Sequence, residues 1–97
     1  MELDVKCMRL RAEVYAAASE FNLALGAFYD ALRREASPEE VGRFAADARR
    51  QGEGYVAALD KLIAHLEGSE PDETTVQELE RSRQFRELAV REMDLTR

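Results

Sequence analysis

From Leu3 to Ala31 the residues Leu3, Cys7, Leu10, Val14, Ala17, Phe21, Ala24, Phe28 and Ala31 recur at alternating steps of four and three, unbroken by proline. Sustained over that distance, the spacing describes one face of a single long helix and leaves no place for strands in the first third of the chain. A helix from about 2 to 35 would be roughly 50 Å long at about 1.5 Å per residue. Beside the main stripe runs a second row, Met8, Tyr15, Ala18, Leu25, Tyr29 and Leu32. An apolar arc this wide suits a helix that touches two neighbours.

The rest of the chain supplies those neighbours. Ser37-Pro38-Glu39-Glu40 has the form of a capping box with proline at the first helical position. The connection before it is very short, so the second helix must turn back antiparallel to the first. Val41, Phe44, Ala48, Tyr55, Leu59, Leu62 and Leu66 give it a face, widened by Ala45 and Ile63, and Gly68 ends it. Gly52 and Gly54 interrupt that face at a cost of roughly 1 kcal/mol each. The large apolar residues that follow return about 1.5–3 kcal/mol apiece on burial. One helix over 38–67 is therefore favoured, with a bend or break at Gly52–Gly54 as the alternative. After the acidic connector around Pro71, Val76, Leu79, Phe85, Leu88, Ala89 and Met93 mark a third helix over about 73–95, with Ser82 in a gap of its stripe and Ser69, Asp72 or Thr74 as its cap. Glu78 with Arg81, Glu80 with Arg83, and Glu87 with Arg91 are spaced to pair along its outer side. The fold class is all-α: an antiparallel up-down-up three-helix bundle forming a single domain over residues 1–97.

Charge narrows the functional classes. Twenty acidic residues against fourteen basic ones, spread along the whole chain, leave a net charge of −6. Clustered Lys or Arg, which counterion release from nucleic acid requires, is missing. An anionic membrane surface is equally disfavoured, and no apolar run is long enough to span a bilayer. Charges at Glu2, Asp4 and Lys6 do not fit a signal peptide, so a cytoplasmic protein is expected.

Residues that could carry chemistry are few. Cys7 is the single cysteine and lies on the apolar stripe, where it reads as a small buried hydrophobe. His65 is the single histidine, and Lys61 and Leu62 stand where a Glu-x-x-His metal helix would place its carboxylate. It reads as an exposed or helix-capping residue. No Gly-rich phosphate loop, GxSxG or HExxH occurs. No catalytic residue, cofactor or metal site is expected, and the chain reads as non-enzymatic.

The middle of the first helix points elsewhere. Between Val14 and Phe28 only Ser19, Glu20 and Asn22 are properly polar, so this waist is apolar or small-sided nearly all round. Such a helix is normally enclosed. Two further short helices cover only part of its circumference. Ala16, Ser19, Leu23, Gly26 and Ala27 would let another helix approach closely, with Leu23 as the knob, and Arg33, Arg34 and the third helix would supply charged rims. Periodicity does not fix the rotation of a helix in a bundle, so the second or third helix could equally cover this face. The expected function is a protein-protein interaction module (an adaptor, chaperone-like or accessory subunit), homodimeric or held in a helical hetero-complex. The alternative is a nucleic-acid-linked regulator, either through the helix-turn-helix-like spacing of Ala48 and Gly52 beside Arg49-Arg50 or as an acidic blocker of a basic partner. A third reading is a ligand carrier with its pocket in the core or at the glycines.

Overall fold

The computed structural model describes residues 4–97: three helices, α1 Val5–Arg33, α2 Pro38–Glu67 and α3 Glu73–Asp94. α2 packs along α1, and α3 packs along α2. The result is an all-α bundle about 55 Å long and 20 × 16 Å across.

The stripe of α1 behaves as its spacing requires. Cys7, Leu10, Val14, Phe21, Ala24, Phe28 and Ala31 are buried, and Ala17 is half-buried. Leu3 lies outside the described residues. Toward one end Cys7, Leu10 and Val14 pack with Ala58, Leu59, Leu62 and Leu66 of α2. Further along, Phe21, Ala24 and Leu25 meet Ala48 of α2 and Ala89 of α3. Tyr55 belongs to both clusters, its ring 5.8 Å from that of Phe21. Phe21 and Leu59, the largest fully buried side chains, contribute about 1.5–3 kcal/mol each.

α2 runs unbroken through Gly52 and Gly54, so the alternative of a break there is not realised. Gly52 is buried because neighbours occupy the space a side chain would take. A Cβ on it would meet the thioether of Met93 from α3 and the ring of Phe21 from α1. The missing methyl is what lets three helices converge at this level.

The ends of the helices refine the expected boundaries. α1 stops at Arg33, short of 35, because Glu35 takes a left-handed conformation with φ 55°. The Glu35 amide then donates to the Leu32 carbonyl and the Ala36 amide to that of Ala31, the paired bonds of a Schellman turn with glutamate where glycine is usual. Ser37 caps α2, accepting from the Glu40 amide at 3.2 Å. The Glu40 carboxylate, however, is drawn to Arg34 at 3.0 Å across the corner, where the capping box would turn it back on Ser37. Of the three cap candidates for α3, Asp72 serves, accepting from the Thr75 amide at 2.8 Å. That bond holds its carboxyl below the usual range.

α3 departs most from expectation. Its buried members are the small ones, Ser82 and Ala89, while Phe85 and Leu88 stand 44% and 50% exposed. Val76 is exposed as well, and Leu79 and Met93 are half-buried. α3 thus turns a face of small residues to the core. Its arginines reach across the bundle: Arg83 pairs with Glu67 at 2.9 Å and Arg86 with Asp60 at 2.6 Å. The expected Glu80–Arg83 pairing along α3 gives way to these bonds to α2, and Glu78 turns to α1.

Candidate interaction surface

No Cα atom of α1 comes within 8 Å of α3 among the described residues. The two parallel helices flank a groove floored by Tyr55, Leu59 and Leu62 of α2. The second apolar row of α1 was expected to meet a neighbour here. Leu25 is buried and Ala18 half-buried, but Tyr15 is 69% exposed and Met8, Tyr29 and Leu32 are exposed too. The backbone of α1 therefore has one close neighbour, α2; side chains link it to α3 at Arg11 and around Phe21, and the flank between those links stays open. Phe85 and Leu88 form the opposite wall.

One strong link spans the groove. Arg11 of α1 and Glu78 of α3 form a two-pronged ion pair, with Nε donating to Oε2 at 2.6 Å and Nη2 donating to Oε1. A guanidinium and a carboxylate matched in this way are held in register as well as attracted. The hydrogen bonds keep the Glu78 carboxyl below its ordinary range, against the opposing effect of burial. The groove holds two clefts, one of about 60 Å³ lined by the bridge itself and one of about 210 Å³ beside Phe21 and Tyr55. Both fall short of the roughly 300 Å³ at which small-molecule sites begin, which weighs against the ligand-carrier reading of the core.

The residues singled out in sequence on the outer waist lie together on one side. Ala16, Ser19, Leu23 and Gly26 are exposed, Leu23 at 71%, and Ala27 is half-buried. A Cβ on Gly26 would meet nothing within 4 Å. Neither α2 nor α3 covers this flank. The two arginines expected at its rim are exposed but engaged within the chain. Arg33 bonds Asp30 at 2.6 Å, and Arg34 bonds Glu40 across the α1–α2 corner.

The helix-turn-helix spacing finds no turn. Ala48 and Gly52 lie within the continuous α2, both buried. Arg49 donates to the Thr96 carbonyl at 2.6 Å, tying down the end of α3, and Arg50 pairs with Asp47. Of the two bases that motivated the reading, Arg49 is engaged within the fold and Arg50 pairs along the exposed side of α2.

Sequence reasoning missed one constellation. His65, expected exposed or capping, is half-buried, with Nε2 2.8 Å from Oδ2 of Asp4. Asp4 is also the cap of α1, its Oδ1 accepting from the Cys7 amide at 3.0 Å. These two bonds, that from the Cys7 amide foremost, hold the Asp4 carboxyl below its usual range. Cys7 itself is 4% exposed, and burial pushes its thiol up. A carboxylate oxygen, a thiol and an imidazole nitrogen thus lie within 4.8 Å of one another. Only the i, i+3 spacing of Asp4 and Cys7 was legible in advance. Their partner stands at the far end of α2.

No family model, curated protein or solved structure matches this chain.

Proposed function

We propose that this chain is a non-enzymatic protein-interaction module that takes a helix of a second polypeptide against the outer flank of α1, a second copy of itself in the first instance. The observation that carries the reading is Leu23, 71% exposed in the middle of a 29-residue helix, between neighbours too small to obstruct approach. A single exposed leucine is ordinary. Here it lies among the exposed Ala16, Ser19 and Gly26, and Tyr15, 69% exposed, lines the neighbouring groove walled by Phe85. Covering such surface gains about 25 cal/mol per Å².

Self-pairing is the simplest way to supply the cover, since twofold dimers are the commonest assemblies. Two α1 helices crossing antiparallel at the level of residue 21 would set Ala16 opposite Gly26 and Ser19 opposite Leu23. Each bulky residue then meets a small one, the packing that close helix pairs require. A partner from another protein would need the same chemistry: an apolar helix face, uncharged at its centre. The compartment in this reading is the cytoplasm, where Cys7 stays reduced. Among the described residues no helix is long and apolar enough to cross a membrane, and the net charge of −6 repels anionic lipid.

Light scattering over a wide range of protein concentration tests this. The wild-type chain is expected to reach the mass of a dimer, and Leu23→Glu to remain a folded monomer. A wild-type chain that stays monomeric at every concentration overturns the self-pairing.

A further inference from the structure

We propose that Asp4, Cys7 and His65 form a binding site for Zn²⁺ that fastens the start of α1 to the end of α2. The three donors come from two helices and lie within 4.8 Å of one another, so one ion can reach all of them. Ligands on a tetrahedral zinc stand about 3.3–3.6 Å apart, given bonds of 2.0–2.3 Å. The Asp4–His65 pair, now 2.8 Å apart, opens by about 0.5 Å to admit the ion. The donor set selects the metal. Thiolate and imidazole favour zinc over calcium or magnesium, which take oxygen ligands.

The charges balance. Asp4 is already a carboxylate, and on binding Cys7 releases its thiol proton to solvent. His65 binds as neutral imidazole through Nε2, its proton carried on Nδ1. Two negative ligands and one neutral ligand offset the divalent ion. Burial foremost, with the charges of Glu78 and Asp4, pushes the Cys7 thiol up, but an adjacent metal ion reverses that preference. The fourth position opens on a cleft of about 540 Å³ lined by Asp4, Cys7, Ser69, Glu70 and Asp72. Water completes the tetrahedron from there.

The probe is Co²⁺, whose thiolate bond gives a charge-transfer absorption in the near ultraviolet. Titration of the reduced full-length chain is expected to saturate at one ion per chain with that band, and Zn²⁺ is expected to displace the Co²⁺ and raise Tm. Cys7→Ser should abolish the band. His65→Gln should weaken binding by more than the roughly 10–100-fold that even an outer-shell partner carries. Asp4→Asn keeps an oxygen to cap α1 but loses the carboxylate, so weakened binding in a variant with unchanged apo Tm separates ligation from capping. Absence of the thiolate band, one ion per two chains, or equal affinity in wild type and His65→Gln would each overturn the proposal. Circular dichroism of each metal-free variant shows whether it is folded before titration.

Discussion

A Cβ built on Gly52 of α2 would lie 2.6 Å from Cγ of Met93 on α3. The two residues are complementary, since the thioether fills the space the glycine leaves. Gly52→Ala is therefore expected to destabilise the chain by about 1–3 kcal/mol, because overpacking forces Met93 and the Phe21 ring aside. Met93 is flexible, so shortening it to alanine in the same chain should recover part of the loss. Gly54, two residues on and on the opposite side of the helix in open space, should behave oppositely: Gly54→Ala gains about 1 kcal/mol from helix propensity alone. Urea unfolding of the four chains measures all of these differences.

Glu35 holds φ 55° at the end of α1, a conformation that costs a side-chain-bearing residue about 1–2 kcal/mol. Glu35→Gly keeps the Schellman bonds and removes that strain. Denaturant unfolding should show a gain of up to about 1 kcal/mol, part of the relief being offset by the greater freedom of glycine in the unfolded chain. Glu35→Val should lose stability.

The Arg11–Glu78 bridge gives the fold a pH dependence of definite sign. Its carboxyl titrates below the ordinary 4.5 in the folded chain, with the Arg11 hydrogen bonds as the first cause. Because the folded value is depressed, the bridge contributes fully above the unfolded carboxyl's titration and is lost as pH falls through the folded value. Glu78→Gln should cost about 1 kcal/mol at neutral pH, after allowing for water at the half-open Arg11. The variant should also have a shallower acid limb in a plot of stability against pH. Thermal unfolding across the acid range reads both effects.

Thr96 is buried although it lies one residue from the end, and Arg49 bonds its carbonyl. Arg49→Ala should release the last turn of α3 and cost about 1–2 kcal/mol through lost charge-assisted bonding. Amide hydrogen exchange should quicken from Met93 onward, with little change in α1.

How much of this was legible in advance follows from the range of each interaction. The stripe from Cys7 to Ala31 and the Ser37-Pro38 start of α2 are written in local spacing and local chemistry, and both are found as read. The continuity of α2 followed from weighing two glycines against Tyr55, Leu59, Leu62 and Leu66. The rotation of α3 did not follow. Periodicity gave Phe85 and Leu88 the core, yet the buried positions of α3 are Ser82 and Ala89, small residues whose fit between helices a count of apolar residues does not contain. Asp4 and His65 stand 61 residues apart, and only the antiparallel return of α2 brings them together. The exposed flank around Leu23 was foreseen as one of two rotations of α1, and the structure has that rotation.

Gly26→Ala offers the most direct test of self-pairing. Nothing lies within 4 Å of the position in the single chain, so the substitution should stabilise a monomer by about 1 kcal/mol. In a close pair of α1 helices the added methyl holds the two backbones apart. Sedimentation equilibrium of wild type and Gly26→Ala should show a wild-type dimer whose Kd rises at least several-fold in the variant, even as the variant's monomer becomes more stable. A wild-type chain that sediments as a monomer throughout, or a dimer that Gly26→Ala leaves unchanged, would contradict the account.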